Sequence, residues 1–319
     1  MPNAFGLETT TDEVIRGTDL SGRHILITGA SGGLGAETAR ALASVGARVT
    51  LAARDIAKAE SVAETIRSEG SGRQVDVTAL ELTSLESVRD CAKRFLAENG
   101  KLDVLINNAG LMGCELARTS NGWELQLATN HIGHFLLTCL LVPALRSAAP
   151  ARIVNLSSAG HRLGDVDFED PHFESRAYDK WVAYGQSKTA NILFTLELDR
   201  RLAPSGIRSV AVHPGMIMTE LGRHLTPEDV QDLMSRADPN SGAPAFKSVE
   251  QGAATSTWAA SASELEGQGG FYCEDCNIAE EKDEEISTKG ISPHALNPES
   301  ARRLWTLSEQ WVGEAFPLN

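Results

Sequence analysis

A phenol and an ammonium group stand four residues apart in the segment Tyr184-Gly-Gln-Ser-Lys188. In a helix, side chains at this spacing share one face, with their β-carbons roughly 5–6 Å apart. A free phenol has a pKa of about 10, and a neighbouring positive charge lowers that pKa because it stabilises the phenolate. The spacing therefore predicts a general acid or base at Tyr184, although an isolated pair of this kind is more often an ordinary Tyr and Lys on a helix surface.

A hydroxyl group follows an apolar run further upstream. Ser158 comes directly after residues 152–156, whose composition is typical of a buried strand. At the carboxyl end of a parallel strand, a side chain faces the crevice in which such sheets bind ligands. Ser158 is therefore a candidate for contact with a bound ligand, and capping of the next turn is its alternative role.

A glycine-rich stretch, T-G-A-S-G-G-L-G, occupies residues 28–35. The apolar run before it predicts a strand, and the pattern after it predicts a helix from about Ala36. A glycine turn between a strand and a helix presents free backbone N–H groups at the positive end of the helix dipole, which suits a diphosphate. The stretch therefore predicts a nucleotide-binding site.

Short apolar runs alternate with helical patterns along most of the chain, which predicts an α/β fold with a single doubly wound parallel sheet and helices on both faces. The predicted strands are 24–28, 47–52, 75–80, 104–107, 152–156 and 208–212. The predicted helices are 36–45, 56–68, 85–98, 123–146, 183–202 and 298–312.

No break in this alternation separates two domains. Residues 1–20 are an N-terminal appendage, in which Thr10 and Glu13 form a capping-box pattern for one short helix. Residues 21–319 are expected to form one α/β domain. Within it, a substrate-loop region near 217–250 is rich in Pro, Asp, Ser and Gly and is expected to wall the substrate pocket together with residues 160–182.

The formal net charge of −14 argues against nucleic acid or an anionic membrane as a partner, and a small-molecule ligand is expected. The first residues lack the pattern of a signal peptide, and the longest apolar stretch, 135–145, is too short to span a bilayer. We therefore expect a cytoplasmic protein without a membrane span.

Two spacings could suggest a metal site. Cys273 and Cys276 have no second Cys or His pair at zinc-finger distance, so we expect two thiols in a surface turn. His131 and His134 have no acidic or Cys partner at matching spacing, so we expect a packed or partly exposed pair. His161 could line the substrate crevice or be solvated, and it is not assigned a catalytic role. No metal site is predicted.

Taken together, the motifs closely resemble those of the short-chain dehydrogenase/reductase family, from about residue 22 to residue 270, which implies a Rossmann fold. Segments 51–55, 130–135 and 152–158 are most similar to the retinol dehydrogenase and carbonyl reductase branches. Those branches act on carbonyl–alcohol pairs of bulky apolar molecules. The motif residues are Thr28–Gly35, Asn107–Gly110, Asn130, Ser158, Tyr184, Lys188 and His213–Gly215.

The resemblance implies a hydride transfer between a nicotinamide and the carbonyl carbon of a small-molecule substrate. Tyr184 would exchange the proton on oxygen, and Ser158, which aligns with the family's catalytic hydroxyl better than Ser157, would hold that oxygen. Lys188 would bind the nicotinamide ribose and, with the oxidised ring, depress the pKa of Tyr184. Asn130 would anchor a water that relays the proton.

The end of the second strand indicates which cofactor is bound. Ala53 takes the position where an acidic residue would favour NAD(H), and Arg54 follows it, so NADP(H) is favoured. Asp55 is expected to be a helix N-cap. The cofactor-binding residues implied are Gly29, Ser31, Gly32, Gly33, Leu34, Gly35, Arg54, Glu81, Leu82, Asn108, Ala109, Gly110, Tyr184, Lys188, Pro214, Gly215, Ile217 and Thr219.

Two other functions stay open. An NADP-binding sensor would keep the glycine turn and Arg54 but would not need the four catalytic candidates. A sugar-nucleotide epimerase or dehydratase would fit the G-x-x-G-x-x-G spacing of Gly29, Gly32 and Gly35 but not Asn108-Ala109-Gly110. An α/β hydrolase would call for a G-x-S-x-G elbow before a helix with a later acid and histidine, and we do not favour that interpretation. A homo-oligomer is compatible with the sequence.

Overall fold

The computed structural model describes residues 5–217, 220–222, 225–235, 246–281 and 289–318. Eight strands form the central sheet in the order β10-β9-β6-β5-β4-β1-β2-β3, and β7 pairs with β8 beside it. All neighbours in the large sheet are parallel except β10 and β9. The strands are β1 (His24–Thr28), β2 (Arg48–Ala53), β3 (Gln74–Ala79), β4 (Val104–Asn107), β5 (Ala151–Leu156), β6 (Ile207–His213), β7 (Met216–Ile217), β8 (Phe246–Lys247), β9 (Phe271–Glu274) and β10 (Asn277–Ile278).

Helices cover both faces of the sheet. They are α1 (Thr11–Val14), α2 (Gly33–Ser44), α3 (Ile56–Ser68), α4 (Leu85–Glu98), α5 (Leu125–Leu127), α6 (Gly133–Ala148), α7 (Lys180–Leu202), α8 (Pro227–Ser235), α9 (Val249–Ser261) and α10 (Pro298–Val312). Alternate side chains of β1 point into different cores: Ile25 and Ile27 pack with α2 and α9, whereas Leu26 packs with α4, α6 and α7. Burial on both faces explains why the central strands are apolar throughout.

The sequence prediction of a doubly wound sheet is confirmed. The predicted bounds of β1, β4, α3, α4 and α10 match the structure, and α2 begins three residues earlier than predicted, at Gly33. The structure adds β7 to β10 and α9 to the predicted elements. These strands are two to four residues long, which is too short for an apolar period to register in the sequence.

A π-turn, Ala128–Ile132, joins α5 to α6 in place of a continuous α-helix. Together these residues form the stretch Leu125–Ala148, long and apolar enough to cross a membrane by length and composition alone. The most apolar part of that stretch is 89% buried within the fold. Its apolar side chains, Phe135 and Leu141 among them, belong to the core against α4 and α7, so packing accounts for its composition.

Both ends of the described chain pack against the sheet domain. The predicted capping box is present, with Thr10 and Glu13 bonded reciprocally at the start of α1. Arg40 of α2 pairs with Asp12 at 2.6 Å, which ties the appendage to the domain. At the other end, α10 places Trp305 against Phe135, with ring centroids 5.0 Å apart. The helix α10 therefore completes the core on the side of α6 and α7.

Five buried histidines and the partly buried His213 should make the fold acid-sensitive. Burial lowers the pKa of each below the usual value of 6.5, so the unfolded chain binds protons between about pH 4 and 6.5 that the folded chain does not. As the pH is lowered through that window, the free energy of unfolding should therefore decrease, by up to about 1.4 kcal/mol per pH unit for each fully titrating histidine. These residues are His24, His134, His172 and His213, with pKa values of about 4, and His131 and His161, with values of about 3.

Urea unfolding at constant ionic strength, from about pH 7 to about pH 5, measures this effect. Burial raises the pKa of Glu124 and Glu274, so these two carboxyls stabilise the folded chain as the pH falls. The six histidines outnumber them, and the net effect should still be a loss of stability. A free energy of unfolding that stays constant over the window would contradict the prediction.

Candidate active site

The glycine-rich turn lies where β1 meets α2, and at Gly29 and Gly35 it leaves no room for a side chain. Gly29 has a φ of 67°, and a β-carbon there would stand 2.7 Å from Ala109 Cα. A β-carbon on Gly35 would stand 2.6 Å from Asn108 Nδ2. Gly32 is the N-cap of α2 and supplies no side chain to bond the first N–H groups of the helix. The turn is thus a tight backbone cradle for an anion.

The end of β4 is fastened to this turn through Thr28. The Thr28 hydroxyl accepts the backbone N–H groups of Asn108 and Ala109, at 2.9 and 3.0 Å. The Asn108 side-chain amide donates to Thr28 O at 2.8 Å. His134 Nε2 lies 2.8 Å from the same Thr28 hydroxyl. The segment Asn108-Ala109-Gly110 is therefore held against the glycine turn, as the prediction requires.

Two basic residues follow the end of β2: Arg54 directly after the strand and Lys58 in the first turn of α3. Arg54 is 75% exposed at its side chain and lies 3.4 Å from the Glu81 carboxylate, a weak surface pair. Asp55 is the N-cap of α3, as predicted, and accepts the Lys58 N–H. The Lys58 ammonium lies 3.7 Å from the point a β-carbon on Gly32 would occupy. The sequence analysis missed Lys58, although a lysine in the first turn of the helix after β2 was a usable signal.

Ser158 and Tyr184 meet at one point above the carboxyl end of β5. A β-carbon on Gly160 would lie 2.6 Å from the Tyr184 ring and 3.3 Å from Ser158 Oγ. The Ser158 hydroxyl accepts the Gly160 N–H at 3.0 Å, so its hydrogen remains available to another acceptor. Both predicted roles of Ser158 are therefore compatible: it caps the short helical turn 159–163 and faces Tyr184.

Lys188 lies one turn along α7 from Tyr184. Its Nζ is 5.7 Å from the centre of the Tyr184 ring and donates to Leu156 O at 3.1 Å. Burial lowers the pKa of Lys188 to about 8. The same Nζ and Asn130 Oδ1 lie 3.6 and 3.2 Å from the point a β-carbon on Gly110 would occupy. The structure therefore brings all four predicted catalytic side chains to the same edge of the sheet.

The pKa of Tyr184 differs from the expectation. Burial raises it to about 12, and a hydrogen bond with Ser158 offsets part of the rise. In the chain alone, desolvation of the fully buried phenol outweighs the effect of the Lys188 ammonium, which lies beyond hydrogen-bonding distance. The predicted lowering by Lys188 together with an oxidised nicotinamide stays a prediction.

Asn130 sits in the π-turn and is fully buried. Its Oδ1 accepts the Leu111 N–H at 2.8 Å, and its Nδ2 donates to Leu111 O and to Ser187 Oγ. Its own carbonyl lies 3.0 Å from His134 Nδ1. These contacts link the loop after β4 to α7, so the side chain holds two walls of the crevice together.

The loop after β6 forms the far side of the crevice. His213 Nδ1 accepts N–H groups from both Ala159 and Gly215, at 3.2 and 3.4 Å. Gly215 has a φ of 97° and packs against the alkyl chain of Lys247. Lys247 is buried and pairs with Asp275 at 2.7 Å. This ion pair was not predicted, because its members come from distant segments that only the fold brings together.

The remaining cofactor candidates occupy varied positions. Leu34 and Ile217 both contact Gly252 of α9, where a β-carbon would lie within 2.9 Å of each. Leu82 is buried, and its carbonyl oxygen would lie 2.4 Å from a β-carbon on Gly133. Pro214 follows β6 directly, and Ser31 and Gly33 complete the glycine turn. Thr219 lies outside the described residues.

Apolar side chains line the open side of the crevice. Leu225 and Trp181 lie within 3.2 Å of the point a β-carbon on Gly113 would occupy, and Leu221 lies 3.8 Å from the equivalent point at Gly110. Trp181 Nε1 donates to Asp232 of α8 at 2.8 Å. The described part of the segment 220–235 therefore covers the crevice beside Lys188 with apolar groups.

Several secondary predictions need correction. Cys273 lies in β9 and Cys276 in the turn after it, both are buried and not at the surface, and burial raises the pKa of both thiols. His161 is fully buried and neither solvated nor open to the crevice. His131 and His134 are packed, as expected, and His131 bonds with Ser308 of α10. The described residues contain no group of three or more His, Cys, Asp or Glu side chains placed to hold a metal ion.

Comparison with known proteins defines the class. A family model described as short chain dehydrogenase matches residues 23–229, and the chain belongs to this family. The chain is 44% identical over 294 residues to mouse retinol dehydrogenase 12, an alignment that covers 92% of this chain and 87% of that protein.

Two solved structures are similar in fold. One is a crystal structure of an uncharacterized protein from Mycobacterium paratuberculosis, with 37% identity, a TM-score of 0.73 and coverage of 97% of this chain and 99% of that one. The other is the Pseudomonas aeruginosa RhlG/NADP active-site complex, with 26% identity, a TM-score of 0.63 and coverage of 80% and 95%. The central sheet, the glycine turn and the Ser, Tyr and Lys cluster thus define an oxidoreductase of this family.

Proposed function

We propose that the chain is an NADP(H)-dependent oxidoreductase that interconverts a carbonyl and an alcohol on a bulky apolar ketone, aldehyde or retinoid-like substrate. The observation that carries the proposal is the meeting of Ser158, Tyr184 and Lys188 beside the glycine turn. A binding protein without chemistry would have no need of a buried phenol and a buried ammonium group at this edge of the sheet.

The residues fit a nicotinamide dinucleotide. The tight turn formed by Gly29 and Gly35 would hold the diphosphate with backbone N–H groups. Arg54 directly follows β2, and the Lys58 ammonium lies 3.7 Å from the point a β-carbon on Gly32 would occupy. Both would offer positive charge to an adenosine 2′-phosphate bound at this end of β2, which supports NADP(H) over NAD(H). The RhlG structure that resembles this chain is described as an NADP complex. When bound, the cofactor supplies or accepts the hydride.

The chain's own residues handle the proton and the substrate oxygen. The Ser158 hydroxyl, which accepts from Gly160 and bonds with Tyr184 in the structure, would donate to the carbonyl oxygen of a bound substrate. Tyr184 donates its phenolic proton to that oxygen during reduction and accepts one during oxidation. Because burial raises the pKa of Tyr184 to about 12, positive charge beside it is needed to make the phenolate accessible near neutral pH. Lys188 and the oxidised nicotinamide would supply that charge.

The proposed substrate class follows from the walls of the crevice. Leu221 lies beside Gly110 and Lys188, and Leu225 and the buried Trp181 pack at Gly113 further along the same loop. Apolar walls with a few convergent polar groups favour a bulky apolar molecule that carries one reacting oxygen. The similar mouse protein is named retinol dehydrogenase 12, and retinol is a molecule of this kind.

Purified protein incubated with NADPH and a panel of aldehydes and ketones, retinal included, tests the proposal. We expect oxidation of NADPH, followed by its absorbance, with kcat/KM highest for large apolar carbonyls and at least about tenfold lower for short polar ones of equal reactivity. Absence of turnover with every carbonyl and every alcohol in either direction, despite tight NADPH binding, would favour the sensor alternative. Preference for small polar substrates would overturn the substrate class alone.

A further inference from the structure

We propose that His161 is a positioning residue for Ser158: its imidazole locks the Ser158 peptide in place and anchors that peptide to the C-terminal segment 289–296. The kinetic part of this inference rests on the proposed function, because it assigns Ser158 to the substrate oxygen.

The ring of His161 bridges two segments that are far apart in sequence. Nδ1 lies 2.7 Å from Ser158 O, and Nε2 accepts the Ser292 N–H at 3.1 Å. A backbone N–H can only donate, so Nε2 must be unprotonated, and Nδ1 must carry the hydrogen that reaches the Ser158 carbonyl. The contacts therefore select one neutral tautomer of His161.

The surroundings fix the ring and keep it neutral. His161 is 0% exposed, and its ring packs edge-on against Tyr272 with the centroids 5.3 Å apart. Its backbone carbonyl accepts from Thr189 Oγ1 at 3.0 Å, which secures the same turn to α7. The charged and titratable groups that face the ring are Arg162, His213, His294 and Tyr272. No carboxylate among the described residues that influence its titration favours the imidazolium form.

Locking the Ser158 peptide matters because the hydroxyl has few other contacts. Apart from its hydrogen bond with Tyr184, Ser158 Oγ accepts one N–H, from Gly160, within the same short turn. If the Ser158 carbonyl lost its donor, the peptide could rotate and carry the hydroxyl away from Tyr184. The hydrogen bond that offsets the raised pKa of Tyr184 would then weaken, and the substrate oxygen would lose its donor. His161 thus acts on the reaction through Ser158.

Two conservative variants separate the two hydrogen bonds that the His161 ring makes, one with Ser158 and one with Ser292. In His161→Asn the side-chain amide occupies the place of Nδ1 and retains the donor to Ser158, whereas in His161→Gln it reaches the place of Nε2 and retains only the acceptor for Ser292. Each variant loses one hydrogen bond, so we expect similar losses of thermal stability. We expect kcat to fall about tenfold in His161→Gln and less than about threefold in His161→Asn, with KM for NADPH unchanged in both.

The dependence of kcat on pH distinguishes a positioning role from a purely structural one, because a loss of stability alone would not shift it. In the oxidative direction, the rise of kcat with pH that reports Tyr184 should shift to higher pH in His161→Gln and stay in place in His161→Asn. Equal losses of kcat in the two variants, in proportion to their losses of stability, would overturn the proposal. If Tyr184→Phe retains activity, the proposed function fails, whereas a normal His161→Gln enzyme beside an inactive Tyr184→Phe enzyme overturns only this inference.

The wild-type protein provides a test that does not depend on the folding of a variant. Nitrogen-15 NMR of the imidazoles distinguishes neutral tautomers, and the His161 signals can be assigned with whichever variant is folded or by selective labelling. We expect the neutral tautomer protonated at Nδ1 from about pH 8 to about pH 5. A neutral ring protonated at Nε2, or an imidazolium in this range, would overturn the proposed geometry.

Discussion

Tyr184→Phe is expected to lower kcat about a thousandfold with NADPH and the best carbonyl substrate, while the dissociation constant of NADPH changes less than about threefold. In the proposed mechanism the phenol is the proton donor to the substrate oxygen, and loss of a positioned acid or base costs about 100- to 10,000-fold. The ring itself remains, packed against Gly160, so the cofactor site should keep its shape. Turnover assays and titration of intrinsic fluorescence with NADPH measure the two quantities.

Tyr272→Phe is the matched control for this variant. Tyr272 is also buried, and its hydroxyl has no hydrogen-bond partner among the described residues. Removal of that hydroxyl should therefore leave both kcat and the free energy of unfolding nearly unchanged. Activity of Tyr184→Phe within about tenfold of the wild-type value would remove Tyr184 from the mechanism.

Arg54→Ala is expected to raise the dissociation constant of NADPH about 10- to 100-fold and to leave that of NADH within about twofold. A charge-assisted hydrogen bond to a phosphate is worth about 1.5–3 kcal/mol, and only NADPH carries the 2′-phosphate. The side chain is 75% exposed and makes only a weak pair with Glu81, so its removal should cost little stability. Isothermal titration with both cofactors measures the selectivity.

Arg48→Ala provides the control. Arg48 is the first residue of β2, at the end of the strand opposite to Arg54, and it pairs with Asp76. This variant should bind both cofactors as the wild type does. Lys58→Ala should lower NADPH affinity further when combined with Arg54→Ala. Equal weakening of NADPH and NADH by Arg54→Ala would contradict a 2′-phosphate contact, and tighter binding of NADH than NADPH by the wild type would overturn the cofactor proposal.

The sequence predicted the sheet well because its central strands are buried on both faces. Ile25, Leu26 and Ile27 enter two different cores, so each must be apolar, and the run stands out from its surroundings. Ends of elements that depend on tertiary contacts were less predictable. The strands β7 and β8 have only two residues each, which is too few to show a pattern in the sequence. Their position depends on tertiary contacts, such as that of Ile217 with Gly252 of α9.

The site could be predicted as a set of residues but not as a network. Ser158, Tyr184 and Lys188 were identifiable because each belongs to a local motif. The π-turn that directs Asn130 toward Leu111 and Ser187 has no comparable local signature. The same applies to Lys247 and Asp275, which are 28 residues apart and meet only after folding.

The pKa of Tyr184 illustrates a further limit. Spacing in sequence reveals that an ammonium group is near a phenol, but it does not reveal how much water surrounds the phenol. Here complete burial raises the pKa to about 12 despite the neighbouring Lys188. Charge and desolvation act in opposite directions on a phenol, and only coordinates decide which is larger.

The double hydrogen bond accepted by His213 Nδ1 has a consequence for changing the specificity of this enzyme. One ring atom joins the backbone of Ala159 to that of Gly215, so the two loops are tied to each other. Remodelling the first loop to admit a different molecule would disturb the second, which we propose lies on the nicotinamide side of the cleft. New specificities should therefore be more accessible through the described part of the segment 220–235, which does not share this atom.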